Sequence, residues 1–324
     1  MALVCATFPL IWIGGLVTTY DAGMAVPDWP NTYGYNLFLY PLSTWLSGPW
    51  DLFIEHGHRL LAALVGLITM ALVAVTWWAD SRVGVRRIAL ACLVLVILQG
   101  MLGGFRVLLD ATLLARLHGC VGPLFFVAAV VAASVTSRRW HEEPNGLASP
   151  VSARFLRLAW ITAGIAYLQL VLGAHLRHVP ASWSPSMFRT VVIAHLLGAA
   201  VLTAHVAGLG MQVAGRRELR QRTWIRRPTC VLLGLTLGQL LLGAASWRLK
   251  YGWPDSFPLP SRLRSFVITA EGMTQSVAVT AHVAVGSLIV AMAMVVAMRG
   301  SRLFAPAAAR RHFVQAGRHL EMLI

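Results

Sequence analysis

The stretch IEHGHRLLAALVGLITMALVAVTWWA, residues 54–79, decides the fold. Beyond its polar first turn, it carries no charged residue between Arg59 and Asp80. Its length exceeds the roughly 20 apolar residues that cross a bilayer core of about 30 Å. A segment inside hydrocarbon must satisfy its own backbone hydrogen bonds, so these residues are predicted to form a transmembrane helix.

Seven further stretches have the same character, and the chain of 324 residues is 57% hydrophobic and only 12% charged. The first stretch lacks the basic start and the small-residue cleavage site of a signal peptide, so we interpret it as a helix. The sequence therefore predicts an all-α polytopic membrane protein with eight transmembrane helices. In chain order the predicted spans are 3–23, 54–79, 86–108, 113–136, 154–176, 188–213, 228–248 and 273–298.

Positive charge gathers in alternate connections between these helices, and the net charge is +15. The connection 21–54 contains neither lysine nor arginine, whereas the connection after the sixth span contains six arginines between residues 216 and 227. This is the positive-inside pattern, which predicts cytoplasmic termini and a multi-pass protein of the cell (inner) membrane. The charge orients the chain in the lipid bilayer, and no nucleic-acid partner is expected. The connections expected outside are 21–54, 106–113, 177–188 and 248–272.

The chain contains an internal repeat in predicted helices 3, 5 and 7. Gln99, Gln169 and Gln239 are each followed four residues later by a glycine, and the copies are spaced 70 residues apart. Helix 1 has a decayed copy with glycines but no glutamine. The repeat predicts two pseudo-symmetric four-helix bundles, 1–140 and 154–300, with a cytoplasmic linker 141–153 and a cytoplasmic tail 301–324. We favour a packing role for the glutamines, and direct contact with a cofactor is the less favoured alternative.

Four histidines lie near the outer ends of the even-numbered helices: His58, His118, His195 and His282. A histidine buried in a membrane usually has a function, and two such residues fall in each half. Paired single imidazoles on separate helices favour axial ligation of two haems. A hydrogen-bonded polar core and a copper or zinc site are the alternatives. His56, His175, His178 and His205 differ from these four in face or depth, and they are weaker candidates.

Several arginines lie at the outer boundary of the predicted helices, where the propionates of a haem project toward water. Arginine suits bidentate pairing with carboxylates, but arginines that snorkel to the membrane interface explain the same positions about equally well. The propionate candidates are Arg59, Arg106, Arg177 and Arg248.

Glu55 is the residue that makes the two halves differ. It precedes His58 by three positions and shares its helical face, whereas no carboxylate precedes His118 or His195 in this way. Glu55 either exchanges protons beside a bound group or caps the helix and pairs with Arg59. The first interpretation predicts that the first half performs chemistry while the second half carries electrons.

These residues resemble a known family. Glu55-His56-Gly57-His58-Arg59 is similar to the Glu-x-x-His-Arg signature of haem A synthases. The stretch from Val17 to Met24, followed by Val26-Pro27-Asp28-Trp29-Pro30, resembles the first outer loop of that family. The single histidines of helices 4, 6 and 8 fit the same pattern, and the similarity covers nearly the whole chain.

The resemblance implies a membrane oxidoreductase that oxidises a ring methyl of haem O to the formyl group of haem A. It implies that haem O binds between His58 and His118 as substrate, and that haem b resides between His195 and His282. Glu55 would be the catalytic carboxylate. Haem O synthase and cytochrome c oxidase are the implied partners, and the electron acceptor, a quinone or another molecule, is unknown.

Two features depart from the family. Many bacterial members carry a cysteine pair in the first outer loop, but Cys5, Cys92, Cys120 and Cys230 all fall in predicted helices. The outer loop 248–272 is long and has no assigned role. A dihaem b-type electron carrier without haem-modifying activity is the alternative function, and a transporter or assembly factor without iron is a third. The carrier accounts for the histidines but not for Glu55.

Overall fold

The computed structural model describes residues 1–142, 150–180, 182–252 and 272–304. Within these ranges the protein is all-α, as predicted, and eight helices are long and apolar enough to cross a membrane. Short helices at Leu42–Leu46, Arg138–Glu142 and Arg217–Gln221 lie in the connections. The eight long helices are α1 Ala2–Thr19, α2 Trp50–Ala79, α3 Val83–Leu109, α4 Thr112–Val135, α5 Pro150–Arg177, α6 Pro185–Gly215, α7 Thr223–Tyr251 and α8 Met273–Phe304.

Most helix ends differ from the predicted spans, because hydropathy detects the lipid-facing part of a helix and misses its polar turns. Helix α2 begins four residues early, at Trp50. Helix α5 begins at Pro150, inside the predicted linker 141–153, and α8 runs to Phe304, inside the predicted tail 301–324. In contrast, α1 ends at Thr19, since Asp21 takes a left-handed backbone conformation. Residues 143–149 of the predicted linker, residues 305–324 of the predicted tail and residues 253–271 lie outside the described residues.

The helices pack as two rings of four. In the N-terminal half, α1 packs on α2, α2 on α3, α3 on α4, and α4 on α1. In the C-terminal half the same order holds from α5 to α8, and α8 packs on α5. The histidine-bearing helices therefore occupy opposite corners of each ring, α2 facing α4 and α6 facing α8. This arrangement supports the predicted pseudo-symmetry, which itself stays a prediction.

Helix α8 is central to the interface between the two halves. It packs on α1 and α4 of the first half, and α4 also contacts α5. Half of its most apolar window is buried, against 11% for α6, which faces mainly outward. Small residues let neighbouring helices approach closely. The fully or nearly fully buried alanines of α8 are Ala284, Ala291, Ala293 and Ala297.

Candidate functional site

Each of the four histidines lies against a glycine of the preceding odd-numbered helix. A Cβ atom added to Gly14 would lie 2.9 Å from Cε1 of His58, closer than real Cβ atoms approach other atoms. The same construction gives 3.1–3.3 Å for the other three histidine rings. All four rings therefore occupy space that is free because the facing residue is a glycine. The pairs are Gly14 with His58, Gly103 with His118, Gly173 with His195, and Gly243 with His282.

The repeated glutamines hydrogen-bond to the histidine residues themselves. The Nε2 of Gln99 donates to the backbone carbonyl of His118 at 3.1 Å. Gln169 and Gln239 make the same bond to the carbonyls of His195 and His282, at 2.6 and 2.9 Å. The packing interpretation of the glutamines is therefore confirmed in a specific form, because each amide ties an odd helix to the histidine-bearing helix beside it.

The two histidines of the C-terminal half face each other at a distance suited to a shared metal ion. The ring centroids of His195 and His282 are 6.4 Å apart. Two metal–imidazole bonds of about 2 Å plus the two ring radii account for this separation. The Nδ1 atom of His282 is buried and has no partner among the described residues. A haem iron fits this pair.

In the N-terminal half, His58 and His118 are close enough to interact electrostatically. The Nδ1 atom of His118 lies 3.2 Å from the backbone carbonyl of Gln99, which leaves Nε2 available for a metal. The Nδ1 atom of His58 is buried and has no hydrogen bond of ordinary geometry among the described residues, although the backbone of Leu10 contacts the ring. Groups of three or more His, Cys, Asp and Glu residues that could bind a metal do not occur in the described ranges.

Glu55 lies in the second turn of α2 and is 3% exposed. Its Oε2 accepts a hydrogen bond from the backbone N–H of Val26 at 2.9 Å, and its Oε1 pairs with Arg59 at 2.6 Å. The predicted pairing with Arg59 is thus confirmed. The capping interpretation is wrong, because the helix begins at Trp50 and the carboxylate contacts the preceding loop instead.

Arg59 fastens the first outer loop to α2. Its guanidinium donates to the backbone carbonyls of Val26, Asp28 and Asn31, besides its contact with Glu55. These four acceptors occupy both terminal nitrogens. In this arrangement Arg59 organises the loop, and its predicted contact with a propionate stays untested.

The Asp-Trp-Pro motif of this loop is a structural anchor. The carboxylate of Asp28 accepts hydrogen bonds from the N–H groups of Tyr33 and Gly34, both at 2.8 Å. Partial burial opposes ionisation, but these N–H groups and the charge of Arg59 together lower the pKa of Asp28. The ring of Trp29 lies against Gly104 of α3, where an added Cβ would lie only 2.3 Å away. The loop is therefore held between α2 and α3.

His56 belongs to the loop contact and not to the histidine pair. It is 2% exposed, its Nδ1 lies 3.1 Å from the hydroxyl of Thr32, and its ring contacts Tyr40 and Trp45. This agrees with the prediction that it faces away from His58. The other weak candidates also have local roles, because Nδ1 of His175 and of His205 bonds the carbonyl four residues earlier in its own helix.

The remaining propionate candidates lie at three different places. Arg106 donates to the backbone carbonyl of Gly23 and interacts electrostatically with Glu55. Arg177 crosses from α5 to α1, where it donates to the hydroxyl of Thr19 at 2.7 Å, while its Nη1 is buried and has no hydrogen-bond partner in the described part of the chain. Arg248 is half-buried near the outer end of α7.

His178 is a residue whose position the sequence did not predict. It lies just beyond α5, yet its Nε2 would contact a Cβ at Gly119, next to His118 in the other half. Burial and the charges of Arg177, Arg106 and Arg116 lower its pKa to about 4. The Nε of Arg116 is also buried, and no described residue forms a hydrogen bond with it. A local hydropathy pattern gives no signal for this contact, because it joins distant parts of the chain.

Comparison with known proteins agrees with this geometry. A family model described as cytochrome oxidase assembly protein matches residues 50–184, which include His58 and His118. A haem A synthase of Symbiobacterium thermophilum is 31% identical over 257 residues, which cover 72% of this chain and 79% of that protein. The chain belongs to the haem A synthase family. A second haem A synthase, from Shouchella clausii, is 25% identical over 200 residues, covering 57% of this chain and 64% of its own.

Membership of the haem A synthase family identifies the chain as an enzyme of haem A biosynthesis. Members are enzymes of haem A biosynthesis, and eight apolar helices make this chain a multi-pass membrane protein. The matched region also contains Glu55 and Arg59, together with the repeat in α3 and the start of the second half.

Proposed function

We propose that this chain converts haem O into haem A by oxidising a ring methyl to a formyl group, through successive hydroxylations and loss of water. Family membership supports the reaction, and the position of Glu55 supports its placement. Glu55 is the carboxylate buried one turn from a paired histidine, and its counterparts three residues before the other histidines are Ala115, Val192 and Val279. This asymmetry carries the proposal.

In this proposal the substrate haem O binds between His58 and His118 in the N-terminal half. His195 and His282, whose ring centroids are 6.4 Å apart, would hold a resident haem b, which would supply one-electron transfer. The glycines opposite the rings keep room for the imidazoles, and the glutamines fix three of the four histidines along their helices. Arg106, Arg177 and Arg248 would hold the acidic propionates.

Glu55 receives the proton that leaves as the methyl group is oxidised. Its Oε2 accepts a hydrogen bond from the N–H of Val26, and its Oε1 accepts one from the guanidinium of Arg59. The carboxylate is therefore oriented before substrate binds. The loop between α1 and α2 covers this carboxylate and limits water around it, which is how an oriented base works effectively.

The deciding experiment is Glu55→Gln, with Asp51→Asn as the matched control. Asp51 is an exposed carboxylate in the first turn of the same helix. Loss of a positioned base lowers rates by about 10²–10⁴-fold, so haem O accumulates and haem A falls accordingly in Glu55→Gln cells. The measurement is extraction and chromatography of cellular haems. Unchanged haem A would favour the dihaem electron carrier.

The proposal also places the protein in its membrane. Both termini are cytoplasmic and the histidine layer lies toward the outer side, as the distribution of arginines predicts. Haem O synthase supplies the substrate and cytochrome c oxidase receives the product. The electron acceptor is a quinone or another carrier in contact with the C-terminal half.

A further inference from the structure

The four histidine positions are alike except for one missing amide. Gln99, Gln169 and Gln239 lie one helical turn before the glycines that face His118, His195 and His282. In α1 the glycine that faces His58 is Gly14, and the residue one turn before it is Leu10. The leucine side chain cannot donate a hydrogen bond, so the backbone of Leu10 contacts the ring of His58 but no amide binds the backbone carbonyl of His58. The other three histidines have that second bond.

The outer end of α2 is fastened to a loop instead. Among the described residues, Glu55 and Arg59, on either side of His58, bond only each other and the backbone of Val26, Asp28 and Asn31. Two residues before Glu55, the carbonyl of Phe53 accepts a hydrogen bond from the indole N–H of Trp45. The partners outside α2 belong to residues 26–45, in the connection between α1 and α2. Loops open at a lower free-energy cost than packed helices.

We propose that His58 is the exchangeable ligand of this protein, and that the Leu10 position is what makes it so. His118, His195 and His282 are held to a neighbouring helix by an amide. His58 lacks that amide, and Glu55 and Arg59 beside it are bonded to the loop. Substrate binding and product release then break the bond between iron and His58 and leave the other three bonds intact. The inference rests on the proposed function, since that function requires one haem to leave and the other to stay.

The proposal predicts that the four positions can be interconverted by single substitutions. Leu10→Gln supplies the fourth amide and fixes His58. Gln239→Leu removes the amide from His282 and makes a ligand of the resident haem exchangeable. Leu237→Gln is the matched control, because it places the same amide in α7 on a side chain that is 60% exposed.

Carbon monoxide binding to the reduced, purified holoprotein measures ligand exchange directly. Carbon monoxide occupies an axial position only after an imidazole has left the iron. Rapid binding in His58→Ala identifies the spectral change of the N-terminal site. The phase that is missing in His282→Ala, which lacks the C-terminal haem, belongs to the C-terminal site. In the wild type we expect carbon monoxide to bind at the N-terminal site first. Leu10→Gln slows this phase about tenfold, Gln239→Leu accelerates the C-terminal phase about tenfold, and Leu237→Gln changes neither.

Haem transfer to excess apomyoglobin provides a second measurement. Leu10→Gln should slow the loss of haem from the N-terminal site by a similar factor. If carbon monoxide binds first at the C-terminal site, or if Leu10→Gln alters neither rate, the proposal is overturned. The haem A content of wild-type cells tests the proposed function separately. A protein that makes haem A but shows equal exchange at both sites refutes the ligand assignment and leaves the enzyme assignment intact.

Discussion

The two halves of the molecule position their histidines in the same way, but two residues near His58 have no equivalent at the other three histidines. Both place a histidine on each of two opposing helices, and both set a glycine against every ring. In the N-terminal half, Leu10 replaces a glutamine, and Glu55 replaces an apolar residue. The comparison teaches that two similar sites can differ by few residues. In the proposals above, the Leu10 position makes His58 exchangeable and Glu55 supplies a carboxylate.

Removing one ligand from each half tests this comparison with the largest expected effect. His282→Ala should remove haem b from the C-terminal half, halve the haem bound per protein and abolish formation of haem A. His58→Ala should also abolish haem A, but it should leave the resident haem b in place. Haem content by type and stoichiometry in the purified variants distinguishes the two outcomes. Loss of the same haem in both variants contradicts two separate sites.

A single methyl group next to a ring should give an intermediate effect. In Gly243→Ala the new Cβ lies 3.1 Å from Cε1 of His282, whose helix is held by Gln239. We expect haem affinity of the C-terminal site to fall about 10–100-fold, as when groups that orient a metal ligand are altered. Gly238→Ala, in the same helix, is the control, because nothing lies within 4 Å of its added Cβ.

The same substitution at Gly14 sharpens the comparison. The added Cβ would lie closer to the ring, at 2.9 Å from Cε1 of His58, than it does at Gly243. Because His58 is not tied to α1 by an amide, its ring can move away, and Gly14→Ala should therefore affect haem affinity less than Gly243→Ala. Titration of each variant with haem measures both effects. A larger loss at Gly14 would show that His58 is as firmly held as His282.

Acidification should weaken the contact between the halves at His178, with the smallest effect. Its pKa is lowered from 6.5 to about 4, so the folded protein binds the proton more weakly than the unfolded chain. The contribution of His178 is complete above about pH 6.5 and is lost as the pH falls toward 4. At pH 5 the loss is on the order of 1–2 kcal/mol.

Thermal unfolding in detergent at pH 7.5 and pH 5 measures the contribution of His178 to stability. His178→Gln should unfold with a smaller dependence on pH than the wild type, because its side chain does not titrate. His205→Gln provides the control, since His205 is half-buried on α6 and bonds only its own helix among the described residues. An unchanged pH dependence in His178→Gln would mean that other groups dominate.

The sequence predicted the helices and the histidine pairs because both follow from the cost of polar groups in hydrocarbon. Eight apolar stretches predict eight helices, and four histidines at one depth predict paired ligands. The short contact between Glu55 and Arg59 was also predictable, since residues four apart in a helix are neighbours.

Other features depend on distant contacts, which a local pattern does not contain. The carbonyls that bind Arg59 come from a loop about 30 residues earlier, so its role in the loop was not apparent. His178 was assigned only to the membrane boundary, although it packs beside Gly119 of the first half. The helix ends were missed for another reason, since turns such as Trp50 to Phe53 extend past the hydrocarbon and carry little hydropathy signal.

Arg177 joins the two similar halves of the chain and limits how far each half can act alone. A residue that ends the first helix of one part donates to Gly15 and Thr19 on the first helix of the other. Neither part is then a self-contained module. Exchanging one part for that of a related protein would succeed only if Arg177 and its acceptors on α1 were transplanted together.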